Sequence, residues 1–244
     1  MTPPLTAAAA LIAFVLFVPL AHRPPDFASA PPTRAPAPPS IDLLRLDAAD
    51  DNAAPPAPWR SRAVRGERAP DVQRIDSAGL SFMRIAGTAR AGWLFRSVAP
   101  PLDAPRGRLR WTWRIPVAPI GTDLRDPATD DSALRVFVSF GPLRSFGRLP
   151  RTIFYSLGGP EPDGYAAPGH GLRDVFVVRV GDAAQAGAWR RVNVDPFADY
   201  RRAWGGTPPP IAVVGLLQDT DQTRRRAVAD ILSLHWSPDD ALDP

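Results

Sequence analysis

Two short clusters of aspartate are the residues of this sequence best suited to bind a ligand or a metal ion. Asp130 and Asp131 are adjacent and precede an apolar segment, while Asp219 and Asp221 follow another. Carboxylates grouped at the ends of strands offer the oxygen ligands that a hard cation such as Ca²⁺ requires. We therefore predict that all four aspartates contribute to a ligand-binding site, with Asp219 and Asp221 as the ligands of any Ca²⁺ ion.

The same aspartates also suit a structural role. Asp and Thr side chains bond nearby backbone amides in turns, and Thr220 and Thr223 accompany the second cluster. An aspartate can also pair with one of the many arginines. Apart from Ca²⁺ we expect no cofactor, because the chain has no cysteine for a thiolate site and no glycine-rich phosphate loop.

Residues that could catalyse a reaction are few. Of the three histidines only His170 lies in a Gly/Pro-rich loop, and no serine or carboxylate accompanies it at a recognisable spacing. The Gly-x-Ser-x-Gly and His-Glu-x-x-His motifs are missing, and Glu67 and Glu161 are the only glutamates. We predict no catalytic residue and assign His170 to ligand binding, with a plain loop histidine as the alternative.

The chain has seven tryptophans, which fall into two groups. Trp111 and Trp113 share one face of a predicted strand with Leu109 and Ile115, so we expect them in the core. Trp189 lies at the start of another predicted strand, where an exposed ring could stack on a sugar. We include Trp189 among the ligand-binding residues, with core packing as the alternative.

The elements that must position these residues are mostly strands. Period-two alternation or short apolar runs predict strands over residues 80–85, 93–98, 109–117, 134–140, 152–157, 174–180, 189–194, 211–218 and 228–236. Asp195-Pro196 predicts the start of one short helix, which Gly205-Gly206 ends. The segment 211–217 is apolar on both faces, which predicts a central strand. The fold class predicted is all-β, a β-sandwich of jelly-roll type with one short helix.

The N-terminal part has a different composition. Residues 7–20 form an apolar run, so we predict that residues 1–30 are a signal peptide, with an uncleaved N-terminal anchor as the alternative. Residues 31–58 are rich in proline and predict a semi-rigid spacer, and the β-sandwich domain is predicted over 59–238. The protein is thus expected in the periplasm or outside the cell, or anchored to the inner membrane.

The charge pattern argues against nucleic acid as a partner. The formal net charge is +4, and all 29 basic residues are arginine. These arginines are spread along the chain and alternate with aspartates instead of forming a basic stripe. We expect no membrane contact beyond an N-terminal anchor.

Several segments together resemble the bacterial domain-of-unknown-function family 3047, which occurs in exported proteins. The matching segments, in the family's order, are residues 109–114, 130–140, 152–156, 187–195, 199–200, 219–223 and 227–231. The chain departs from the family pattern at Gln222, where Asn is common, and at Arg190, where an acidic residue is common. The resemblance implies an exported β-sandwich of jelly-roll type, and it transfers no catalytic residue.

Three functions are compatible with these observations. The first is a non-catalytic envelope module that binds a glycan or cell-wall polymer. The second is a hydrolase or lyase acting on polysaccharide, and the third is a structural or assembly protein. The enzyme hypothesis requires that the polar candidates lie in one cleft beside aromatic side chains: Asp130, Asp131, His170, Asp219 and Asp221. If these residues are scattered over the fold, the enzyme hypothesis is excluded.

Overall fold

The computed structural model describes residues 40–46, 55–102, 107–141, 150–157, 159–181 and 187–238. The strands are β1 (Ile41–Asp42), β2 (Arg60–Ala63), β3 (Asp71–Ser77), β4 (Leu80–Thr88), β5 (Ala91–Leu102), β6 (Gly107–Val117), β7 (Ser132–Phe140), β8 (Thr152–Ser156), β9 (Ala166–Gly169), β10 (Leu172–Arg179), β11 (Arg190–Val194), β12 (Ile211–Asp219) and β13 (Arg226–Pro238). One helix, α1 (Pro196–Trp204), lies between β11 and β12. The predicted export segment and the spacer as far as residue 39 lie outside the described residues.

The strands form two sheets that enclose one large core. The six-stranded sheet has the order β11-β6-β13-β4-β3. Its sixth strand, β1, pairs with β13 at His235 and Trp236, beyond the part of β13 that pairs with β4. The seven-stranded sheet has the order β2-β5-β12-β7-β8-β10-β9. Its pairs are antiparallel except for β8 and β10, which are parallel. The predicted β-sandwich is confirmed, with all nine predicted strands and the helix in place.

The alternation along β6 shows how the core is filled. Leu109, Trp111, Trp113 and Ile115 are buried while the residues between them are partly exposed. The rings of Trp111 and Trp113 meet edge to face at 5.5 Å. Both tryptophans therefore belong to the core, as predicted.

Helix α1 closes one end of the sandwich. Asp195 caps it by accepting a hydrogen bond from the Ala198 amide at 2.8 Å, and Pro196 occupies the first turn. Phe197 and Tyr200 point inward, and the Tyr200 ring lies 4.7 Å from that of Phe140. This aromatic packing fixes the helix against the sheets.

The folded unit begins earlier than residue 59. Strand β1 pairs with β13, and the apolar side chains that follow β1 are buried in the core: Leu43, Leu44 and Leu46. The Trp59 indole N–H donates to the Leu43 carbonyl oxygen at 3.0 Å, which ties this segment to the domain.

Strands β1, β2, β3 and β9 add to the nine that the sequence predicts. In the described part of the chain, no helix is long and apolar enough to cross a membrane.

Candidate functional site

The seven-stranded sheet is apolar on its outer face as well as on the face that meets the core. Strand β7 is buried throughout, because Leu134, Val136 and Val138 point to the core while Phe137 points outward. Six buried apolar side chains from four strands form this outer floor: Phe137, Phe154, Val175, Val177, Val213 and Leu217. The strands of the described residues place no second sheet on this face, and an apolar patch of this kind is typical of a binding site.

Strand register arranges the outer face in parallel rows. The middle row runs across the sheet through Phe95, Gly215, Phe137, Phe154 and Val177. One side of it is bordered by a row with small polar groups, which contains Ser139 and Thr152. The row on the other side contains Trp93, Leu217, Arg135, Ser156 and Arg179. The floor is therefore aromatic in the middle and charged along one side.

These rows form the bottom of a groove of about 590 Å³. We call it the outer groove; its floor is the set of six apolar residues above together with Trp93 and Phe95. On one side it is bounded by β2 and the turn after it, which contribute Arg62 and Arg65. On the opposite side are Pro127 and Asp130 from the loop before β7, and His170 from the β9–β10 turn.

Trp93 is the most prominent aromatic side chain of the outer groove. It is only partly buried, and its ring meets Phe137 edge to face at 5.4 Å and lies 5.8 Å from Phe154. Phe95, two residues along the same strand, is also partly buried and lines the groove. The groove thus offers aromatic rings that remain accessible to a ligand.

Arg135 is the central charged group of the floor. Its guanidinium Nη2 donates to Asp130 Oδ1 at 2.5 Å and to the Asp130 carbonyl oxygen at 2.8 Å, while its buried Nε has no hydrogen-bond partner among the described residues. Burial raises the pKa of Asp130, and Arg135 and His170 act in the opposite direction. His170 Nε2 lies 2.8 Å from the Leu124 carbonyl oxygen and 4.0 Å from Asp130 Oδ2. These contacts connect the two segments on this side of the groove.

A buried ion pair anchors the same loop from below. Glu161 accepts hydrogen bonds from the Leu124 amide and from Arg179, and both side chains of this pair are fully buried. Burial lowers the pKa of Arg179, an effect that Glu161 opposes. The buried pair of Glu161 and Arg179 therefore holds the loop before β7 against the outer face of the sheet.

Three of the predicted aspartates meet at the charged end of the groove. Asp131, Asp219 and Asp221 each place one carboxylate oxygen within 4.8 Å of the others. Asp219 Oδ1 and Asp221 Oδ1 are buried and have no hydrogen-bond partner among the described residues. Burial raises the pKa of Asp219 to about 8, and the neighbouring carboxyls add to this increase while Arg135 opposes it. Three oxygens at this spacing fit part of the coordination shell of Ca²⁺, which requires six or more ligands.

Asp131 has a structural role in this cluster. Its carboxylate accepts hydrogen bonds from the Thr223 amide at 2.7 Å, from the Thr223 hydroxyl, and from the Gln222 amide at 3.3 Å. The loop after β12 is thus fixed mainly by Asp131, which precedes β7 in the sequence, and less by Asp219 and Asp221 at the end of β12. Thr220 instead exchanges hydrogen bonds with the backbone of Arg90 at 2.9 Å.

The structure brings together five of the six predicted site residues. Asp130, His170 and Asp219 line the outer groove, and Asp131 and Asp221 lie directly beside Asp219. Trp189 does not join them. It precedes β11 of the six-stranded sheet, where its ring meets Phe82 at 5.5 Å and lies under the Arg114 guanidinium at 4.5 Å.

Several groove residues were not among the predicted ones: Arg62, Trp93, Phe95, Arg135, Phe137 and Phe154. One sequence signal could have indicated them. The segment 134–140 carries Phe137 and Arg135 on the face opposite its core residues, and an apolar side chain there is unusual for a strand with one solvated face.

Comparison with known proteins confirms the family resemblance. The family model described as "Protein of unknown function (DUF3047)" matches residues 57–235. No curated protein matches the chain significantly. The family 11 carbohydrate-binding module of the cellulosomal cellulase Lic26A-Cel5E of Clostridium thermocellum is similar in structure, with a TM-score of 0.45 and 9% identity over 84% of this chain and 96% of that one. The family 11 xylanase from Neocallimastix patriciarum has a TM-score of 0.39 and 10% identity over 74% of this chain and 90% of that one. No function is carried over from either.

Proposed function

The chain belongs to the DUF3047 family of proteins of unknown function, and we propose that this member is a non-catalytic module that binds a glycan or cell-wall polymer in the outer groove. The observation that carries the proposal is the apolar, aromatic floor on the outer face of the seven-stranded sheet. A sheet face of this kind would normally be covered or polar, so its burial by a ligand accounts for its composition.

The chemistry of the groove suits a sugar polymer. A pyranose ring presents C–H groups on its faces and hydroxyl groups around its edge. The partly exposed rings of Trp93 and Phe95 can pack against the C–H faces. Polar side chains that line the groove, among them Asp130, Arg135 and Gln222, supply donors and acceptors for the hydroxyls. A groove open along the sheet also admits several sugar units of a chain.

The proposed location rests on the N-terminal part of the sequence. The apolar run at residues 7–20 would direct the protein to the cell envelope, where glycans and cell-wall polymers are found. Cell fractionation should recover the protein from the periplasm, the medium or the inner membrane. Recovery from the cytosol alone would refute this part of the proposal.

The binding proposal is tested on the full chain with a glycan array, followed by titration calorimetry with the polymers that bind. We expect Trp93→Ala to weaken binding by a factor of about ten or more, because it removes the largest ring of the floor. Trp189→Ala is the matched control, since Trp189 packs on the six-stranded sheet. Thermal melting verifies that each variant is folded. The proposal fails if no glycan binds, or if both variants bind as well as the wild type.

A second candidate function, a polysaccharide hydrolase or lyase, is favoured by the convergence of Asp130, His170 and Asp219 in the same groove. A carboxyl group that stays protonated near neutral pH, as the raised pKa of Asp219 implies, can act as a general acid. Incubation of the full chain with each bound polymer should release reducing ends or unsaturated products, and Asp219→Asn should stop this release. A polymer that binds but stays intact would leave the binding module as the function.

A further inference from the structure

The outer groove carries both positive and negative side chains. Arg62, Arg65 and Arg135 line it together with Asp130 and Asp219, and Asp131 and Asp221 lie directly beside Asp219. Asp130 is already bound to Arg135. Among the described residues, neither Arg62 nor Arg65 forms an ion pair with any of these carboxyl groups.

Arg62 and Arg65 are placed to contact a ligand. Arg62 is the register partner of Trp93 in the β2–β5 pair, so the two side chains project from the same face of the sheet. Arg65 follows in the turn after β2, and both arginines are exposed. In the described part of the chain, no acidic side chain forms an ion pair with either of them. A ligand lying on Trp93 would thus pass directly beside two free guanidinium groups.

Arg135 adds a third guanidinium from below. Its side chain is only 6% exposed and its Nη2 is bound to Asp130, so it lies beneath the groove surface. Guanidinium groups bind carboxylate, sulfate and phosphate oxygens through paired N–H donors, and these charge-assisted bonds are stronger than those to neutral hydroxyls.

We propose that the polymer bound in the outer groove is an acidic polysaccharide, whose carboxylate or sulfate groups contact Arg62 and Arg65 while its sugar rings pack on Trp93. This inference rests on the proposed glycan-binding function and specifies its ligand class. The apolar floor excludes a purely electrostatic site, and the unpaired arginines disfavour a neutral polymer.

The test compares four polymers by titration calorimetry on the full chain at an ionic strength of about 0.15 M. They are polygalacturonate, which carries carboxylates, a sulfated galactan, a neutral mixed-linkage β-glucan, and polyglutamate as a polyanion without sugar rings. We expect at least one acidic polysaccharide to bind about tenfold or more tightly than the neutral glucan and polyglutamate. The first two polymers distinguish carboxylate from sulfate as the bound group.

A pair of double variants locates the interaction. Arg62→Gln with Arg65→Gln should weaken binding of the acidic polysaccharide by a factor of about ten or more. Arg191→Gln with Arg201→Gln removes the same charge from two exposed arginines outside the groove, and it should change binding by less than about twofold. Melting temperatures confirm that both proteins are folded.

Each other outcome overturns the inference. If the neutral glucan binds as tightly as the acidic polymers, the proposed glycan-binding function stands and the acidic preference falls. If polyglutamate binds equally well, or both double variants weaken binding equally, only general charge attraction is present. If none of the sugar polymers binds, the inference and the proposed function fail together.

Discussion

Gly215 and Phe137 are register partners in the β12–β7 pair, and the ring of Phe137 occupies the space that a β-carbon on Gly215 would need. The missing side chain lets this ring lie over β12 and extend the apolar floor of the outer groove. A β-carbon would also lie 2.6 Å from the Leu94 carbonyl oxygen, which is backbone and cannot turn away. The smoothness of the floor therefore depends on a glycine in a central strand.

We predict that Gly215→Ala destabilises the protein by about 1–3 kcal/mol, the usual effect of overpacking a filled site. It should also weaken ligand binding, because the Phe137 ring must move into the groove. Denaturant unfolding and calorimetry measure the two effects. Gly187→Ala is the matched control, since a β-carbon there meets no atom within 4 Å. Equal stability of the two variants would show that the sheet adapts at Gly215 without strain.

Asp131 gives the second prediction. Its removal leaves the amides of Gln222 and Thr223 and the Thr223 hydroxyl without their acceptor. We expect Asp131→Ala to lower the free energy of unfolding by about 1–3 kcal/mol. Asp71→Ala serves as control, because Asp71 is exposed and its ion pair with Arg90 should contribute about 1 kcal/mol or less. Similar losses in both variants would contradict the structural role given to Asp131.

Local patterns predicted the elements well. The alternation of Leu109, Trp111 and Trp113 is visible within one segment, and it defines both the strand and the face that meets the core. Likewise, Asp195, Pro196 and the paired glycines mark the two ends of α1 within ten residues or so of sequence. Such signals require no knowledge of which strands become neighbours.

The outer groove could not be predicted in the same way. Its floor combines Trp93 of β5, Phe137 of β7 and Val177 of β10, which only sheet pairing brings together. Strand β7 is buried on both faces, and Arg135 and Ser139 beside Phe137 on its outer face read like the polar side of an ordinary half-solvated strand, so its sequence does not distinguish a groove. The sequence places Trp189 at the start of a strand, but it does not show that this strand, β11, joins the six-stranded sheet instead of the sheet that carries the outer groove.

The third prediction concerns Ca²⁺ at the cluster of Asp131, Asp219 and Asp221. We expect Ca²⁺ to raise the melting temperature of the wild type and a chelator to reverse the increase, since a ligand that binds the folded state stabilises it. The increase should be larger at pH 8 than at pH 5, because a cation competes with the proton on Asp219. Asp219→Asn should respond less. A melting temperature that Ca²⁺ and chelator leave unchanged at both pH values would exclude a calcium site here.

The last prediction concerns the pH dependence that Asp219 imposes on stability in the absence of metal. In the unfolded chain an aspartate titrates near pH 4, whereas burial raises the pKa of Asp219 to about 8 in the folded protein. Below about pH 4 both states hold the proton, so Asp219 causes no change in stability. Between about pH 4 and about pH 8 the unfolded chain releases the proton while the folded protein retains it, and the free energy of unfolding falls as the pH rises. Asp219→Asn cannot ionise, so its melting temperature should exceed that of the wild type by an amount that grows over this range and then levels off.

Melting curves with chelator at intervals of pH measure this difference, and Asp76→Asn is the control. The pKa of Asp76 is lowered by the hydrogen bond from Ser81, so its variant should show no growing advantage above pH 5 or so. A constant difference between Asp219→Asn and the wild type across the range would mean that Asp219 is ionised in the folded protein.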